Sequence, residues 1–172
     1  MDAPDKARLL ADLEAGRSAL IAALTGVSED RASRNPSPEK WSILQCVEHL
    51  AIVEDNLLSR ITAAQPSDAP PMDPRRETLI VARALDRTRP RQAPEVALPT
   101  GRFPTLSAAL QHFLAGRERT LRFVEQCTDD LRRRRTTHPV IGEVTCHEVL
   151  LLIATHPLRH VQQIEEIKAA VS

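Results

Sequence analysis

The sequence predicts an all-α fold: a four-helix bundle with a long proline-rich crossover between the second and third long helices. Four segments repeat apolar residues at spacings of three and four, and no segment shows a convincing strand alternation. Eight of the thirteen prolines fall between Pro66 and Pro104, which forbids a long helix there. At 172 residues the chain fits a single domain, residues 1–172, with one sizeable core.

The first helix is expected from about Asp5 to Leu24, with Leu9, Leu10, Leu13, Leu20, Ile21 and Leu24 as its apolar stripe and Gly26 just past its end. Asn35-Pro36-Ser37-Pro38 then breaks the chain. Ser42, followed three residues on by Gln45, has the form of a capping box and opens a second helix to about Ala63, with Ile43, Val47, Leu50, Leu57 and Ile61 on its stripe. A short helix near Arg75 to Asp86 interrupts the crossover. The third long helix runs from about Thr105 to Cys127 on Leu106, Leu110, Phe113, Leu121 and Val124. Thr145 and Glu148 repeat the capping-box form and start the fourth, which reaches Ala170 on Val149, Leu150, Ile153, Ile164 and Ile167. The two shorter connections favour antiparallel neighbours in the bundle.

Composition narrows the function. Lys plus Arg and Asp plus Glu number 23 each, so no general field gathers nucleic acid or an acidic membrane. Aromatics are 2% of the chain, Trp41, Phe103, Phe113 and Phe123 with no Tyr, which leaves no stacking platform for bases. No apolar run approaches the roughly 18 residues of a spanning helix, and the first ten residues lack the pattern of a signal peptide. A cytoplasmic protein is expected. Cys46, Cys127 and Cys146 are scattered without CxxC spacing and read as packed, reduced thiols.

The chemistry points to histidine. Taking Ile153 as zero, His156 falls at about −60° and His160 at about −20° around the fourth helix, inside its apolar stripe. Four residues apart, they stack on one face, the spacing by which two imidazoles meet one metal ion. By spacing alone they could equally be two hydrogen-bonded core histidines. His49 stands at the edge of the second helix stripe, beside Cys46 and Val53, where it either completes a three-histidine site or bonds to a neighbour. Three neutral imidazoles on rigid helices would leave coordination positions open.

Trp41-Ser42 through His49-Leu50, then His138-Pro139-Val140-Ile141-Gly142-Glu143-Val144-Thr145, then His156-x-x-Arg159-His160-x-x-Gln163-Ile164, resembles the DinB-like/YfiT-like metalloenzyme superfamily. The resemblance spans the whole chain, including helix count and crossover. It implies a four-helix bundle, often a homodimer, with a divalent metal, commonly nickel or zinc, held by His49, His156 and His160. Characterised branches are similar to transferases that use a low-molecular-weight thiol, and many members are called metal-dependent hydrolases. The implied function is therefore a metal-dependent enzyme that activates a thiol or water: a thiol S-transferase or a hydrolase of a small substrate. The alternative is a non-catalytic helical dimer serving as an interaction module.

Other residues carry weaker expectations. Gln163, one turn beyond His160, would bond to a ligating ring or merely edge the helix. Arg159 would contact an anionic substrate or a carboxylate on the next helix, and Arg117, at a seam beside Phe113 and Leu121, needs a ligand or a carboxylate partner. Pro157 removes the hydrogen bond to Ile153 and predicts a kink in the metal-binding turn. No catalytic base besides activated solvent is nameable. Glu48 and Glu165 read as solvated helix charges, His112 and His147 fall off the stripes, His138 lies in a loop, and Arg132 to Arg135 reads as a solvated helix end. DNA binding is disfavoured by the neutral charge.

Overall fold

The computed structural model describes residues 1–88 and 92–171. Four long helices form it: α1 (Ala3–Leu24), α3 (Ile43–Ala63), α5 (Leu106–Gln126) and α6 (Cys146–Ala170), joined by shorter α2 (Glu29–Ser33) and α4 (Arg75–Leu85). Both capping boxes form, Ser42 with Gln45 and Thr145 with Glu148, so α3 and α6 begin where two orphan amides find side-chain partners. Between α3 and α5 the chain passes through α4 and a 3-10 turn at Glu95–Ala97. Part of that stretch, Pro90 included, lies outside the described residues.

The helices in contact are α1 with α6 and α5, and α3 with α5 and α6. The helices joined by the two shorter connections, α1 with α3 and α5 with α6, therefore lie diagonally across the bundle rather than side by side, correcting the neighbour relation expected from those connections. By contrast α3 and α5, joined by the long connection through α4, are neighbours. The linkers explain it. The stretches from Thr25 to Ser42 and from Cys127 to Thr145 carry their own turns and can span about 3.3 Å per residue, ample to cross a bundle.

A three-stranded antiparallel sheet was not expected from the sequence: β1 (Gln65–Pro66), β2 (Arg134–His138) and β3 (Gly142–Thr145) in order β1-β2-β3. These strands are too short and too polar for an alternation to register; in β3 only Val144 and Thr145 face the core. Gly142, with φ of +83°, closes the hairpin in a conformation that side-chain-bearing residues rarely adopt. His138 Nδ1 accepts from the amides of Val140 and Ile141, which employs that histidine in the turn.

The core has two apolar clusters, one around Leu9, Leu13, Leu57, Ile61, Val124 and Ile153, the other around Leu20, Ile43, Val47, Phe113 and Ile164. Ile21, expected on the α1 stripe, is exposed instead. Arg117 bridges the clusters. Completely buried, it donates to both carboxylate oxygens of Glu54 at 2.9 and 2.8 Å, to Leu13 O at 2.6 Å and to Ile153 O at 3.0 Å, while its guanidinium lies 5.2 Å from the Phe113 ring centre. Helix α1 approaches α6 at Gly16, where a Cβ would stand 2.7 Å from Ala154 O.

Helix α4 packs on α6 and gives it a second covered face, so His147 and Glu148 are buried although they sit off the stripe. Arg76 reaches Glu148 at 3.0 Å, and Arg132 binds Glu77 and Asp5. The arginine run is thus not simply a solvated helix end: Arg134 also pairs with Asp129, and Arg135 with Glu143.

Candidate metal centre

Helix α3 carries His49 two turns in from its cap, and α6 carries His156 and His160 on successive turns, so α3 and α6, packed together, bring the three rings to one point, tilted or edge-on to one another. One ring nitrogen from each lies within 4.8 Å of the others. His49 Nε2 is 3.3 Å from His156 Nε2, which is 3.0 Å from His160 Nε2. Pro157 does not separate the pair: the helix is continuous through it.

The tautomer of His49 follows from its other nitrogen. Nδ1 is 2.6 Å from the carbonyl oxygen of Ala97, which can only accept, so the proton resides on Nδ1 and the Nε2 lone pair faces the cluster. Burial lowers the proton affinity of His49, outweighing the Ala97 bond. His156 and His160 are held well below the usual imidazole value, chiefly by burial and then by neighbouring imidazole and Arg159 charge. Three rings that resist protonation, His49 and His160 buried and His156 half-buried, form a donor set for a cation.

The donor set fits a divalent ion. Metal–nitrogen bonds of about 2.0–2.1 Å set two imidazole nitrogens on one ion roughly 2.9–3.4 Å apart, for angles between right-angled and tetrahedral. The measured 3.3 and 3.0 Å fall inside that interval. Hydrogen bonding alone satisfies the cluster poorly, because neutral rings whose lone pairs converge have too few protons to share.

A cavity of about 740 Å³ opens onto His49 and His160. Trp41, directly before the α3 cap, forms its aromatic wall, 4.9 Å from the His49 ring centre and 6.4 Å from that of His160. Arg159 and Arg87 line it as well. Arg159 binds the carbonyl oxygens of Ala84 and Asp86 at the end of α4, and Arg87 pairs with Glu166. Gln163 lies beside His160 and favours its protonated form, yet His160 Nδ1 has no partner at hydrogen-bonding geometry, and the Gln163 oxygen accepts from Arg87 at 3.4 Å. Arg117 is sealed in the bundle, outside the residues lining this cavity.

Two contributors escaped the sequence reading. One is the Ala97 carbonyl, a main-chain group that no residue type announces. The other is Glu48, which is 1% exposed and not a solvated charge: its carboxylate accepts from the amides of Thr100, Gly101 and Arg102. Its position next to His49 was the available signal. Of the remaining histidines, His112 pairs with Asp55 at 2.7 Å, and His147 lies against Glu77 and Arg132.

A sequence model of the DinB superfamily matches residues 12–164. The uncharacterised protein YuaE of Bacillus subtilis (strain 168) is 28% identical over 148 residues, 86% of this chain and 90% of YuaE. YfiT from Bacillus subtilis, described as a "probable metal-dependent hydrolase with an unusual four-helix bundle topology", superposes with a TM-score of 0.62 at 17% identity, covering 98% of this chain and 89% of that one. TT2238, a four-helix bundle protein, gives a TM-score of 0.60 at 22% identity over 94% of this chain and 98% of that one. At such identities the solved structures establish the fold, which is a four-helix bundle. With the family match covering most of its length, the chain belongs to the DinB superfamily.

Proposed function

We propose that this protein is a metal-dependent enzyme acting on a small substrate, with His49, His156 and His160 holding a divalent ion, nickel or zinc. The observation that carries the reading is the convergence of three proton-resistant imidazoles, His49 and His160 buried and His156 half-buried, at separations of 3.0 and 3.3 Å beside a cavity. An ion held there would supply Lewis acidity that makes a water or a thiol nucleophilic near neutral pH. Trp41 would shield the rings from solvent, and Arg159 and Arg87 would set a positive edge for an anionic group on the substrate.

Hydrolysis is the favoured reaction, in keeping with the description of YfiT. Thiol transfer shares the activation step but needs a thiol from outside. Burial raises Cys46 to about 12 and Cys146 to about 11, so neither serves as a thiolate at neutral pH. Three free, buried cysteines support a reducing, cytoplasmic setting.

Tag-free protein reconstituted with nickel or zinc, then gel-filtered, should retain about one equivalent by plasma mass spectrometry, and His160→Ala should retain none. Less than about a tenth of an equivalent in the wild type would sink the reading. The loaded protein, assayed on ester and amide panels with and without low-molecular-weight thiols, separates hydrolase from transferase. Inertness throughout would favour a non-catalytic bundle.

A further inference from the structure

The loop beside the cavity is tied to α3 on both sides of the carbonyl that orients His49. On one side Asn56 Nδ2 donates to Val96 O at 3.2 Å. On the other, three successive amides converge on the buried Glu48 carboxylate: Thr100 at 2.8 Å, Gly101 at 3.2 Å and Arg102 at 3.0 Å. A buried carboxylate is costly unless hydrogen bonds replace its water, and three amide donors provide that replacement. Gly101 has φ of +76°, a left-handed turn that helps aim successive N–H groups at one anion.

Only Leu98 and Pro99 separate Ala97 from the first of these amides, and the Pro99 ring fixes its own φ. The link is short and stiff, so the position of the Ala97 carbonyl depends on where Glu48 holds the loop. That carbonyl, 2.6 Å from His49 Nδ1, is what selects the Nδ1–H tautomer. Glu48 and His49 are adjacent on α3, so one helix presents the ring and also anchors the group that orients it.

We propose that Glu48 is a positioning residue for the histidine cluster: by holding the Thr100–Arg102 backbone it sets the Ala97 carbonyl, which turns the His49 Nε2 lone pair toward His156 and His160. The part concerning metal affinity rests on the metal-centre reading above; the part concerning the tautomer does not. An acceptor-only side chain is required, because the amide of Gln would set its own N–H donors against backbone N–H groups.

The test compares wild type with Glu48→Gln, Gly101→Ala and a control, Leu57→Ala, in which a core side chain elsewhere on α3 is truncated. A Cβ at Gly101 meets nothing within 4 Å, so that variant moves the loop by backbone strain without a clash. Long-range ¹H–¹⁵N NMR of the metal-free proteins reads the His49 tautomer, and zinc titration against a chromophoric chelator reads Kd. Wild type and Leu57→Ala should show Nδ1–H alone and bind zinc alike. Glu48→Gln and Gly101→Ala should show mixed tautomers and a Kd weakened about 10–100-fold, the usual effect of losing an orienting partner.

Unchanged tautomer and Kd within twofold in both loop variants would overturn the proposal, as would an equal change in Leu57→Ala. A wild type that binds no zinc, with tautomers that still shift in the loop variants, would uphold the positioning role and remove the metal reading.

Discussion

Arg117 donates to the main-chain oxygen of Ile153 at 3.0 Å, the carbonyl that Pro157, lacking an N–H, cannot satisfy from four residues on. The proline in the turn that carries the histidine pair is thereby accommodated rather than disruptive. A guanidinium from α5 takes the place of the missing helix bond one turn before the histidine pair. Replacing Arg117 with Leu should destabilise the protein by about 3–5 kcal/mol in urea unfolding, because Glu54 is left buried without its partner. The double variant Arg117→Leu/Glu54→Leu should lose less than the single, and a larger loss would refute this account.

Gly16 marks a close approach of α1 to α6. Ala there would bring Cβ to 2.7 Å from Ala154 O, beside Pro157 and Arg117, so Gly16→Ala should cost about 1–3 kcal/mol despite the better helix propensity of Ala. A rise in the thermal midpoint would contradict the packing.

Metal should stabilise the fold by mass action. At 100 times its Kd, a ligand bound only by the native state contributes about 2.7 kcal/mol, so zinc or nickel should raise the melting temperature and a chelator should reverse the gain. His156→Ala should melt at the same temperature with and without metal. Equal metal shifts in wild type and variant would place binding elsewhere.

Acid stability should depend on Arg132. Its hydrogen bond is the main cause holding Asp5 below the usual carboxylate range. Glu77 is raised by burial but lowered more by Arg132 and His147, for a net decrease. Both carboxyls then titrate lower folded than unfolded, so their stabilisation is complete above about pH 5 and disappears as pH falls through the folded values. His147, lowered mainly by burial, adds a loss that begins near pH 6.5. In Arg132→Gln the acid unfolding midpoint should move to higher pH; an unchanged midpoint would show that the cluster contributes nothing.

Thiol chemistry offers a fifth contrast. With Cys46 raised to about 12 by burial, folded protein at pH 8 should resist alkylation at that position for hours and react promptly in denaturant. Rapid labelling without unfolding would show that the α3 face opens.

Much of the architecture was legible because it depends on local pattern. Apolar spacing located the four long helices, and two capping boxes placed the starts of α3 and α6. The i, i+4 spacing put His156 and His160 on one face, since helix geometry is fixed by residue number alone. What covers a helix is not local. His147 and Glu48 read as peripheral, yet α4 buries the first and the crossover loop the second. The sheet was illegible because β1 has two residues and pairs with a strand some seventy positions away.

By itself the sequence determined the helices, their caps and the neutral, aromatic-poor surface, and it supplied the three histidines as candidates. Only the tertiary structure decided that α3 lies against α6 so that the rings converge, that Arg117 supports the carbonyl freed by Pro157, and that Ala97 fixes the proton on His49. Helical periodicity follows from backbone bonds within one segment. Convergence of nitrogens to near 3 Å follows from packing between segments distant in the chain, and no spacing rule encodes that.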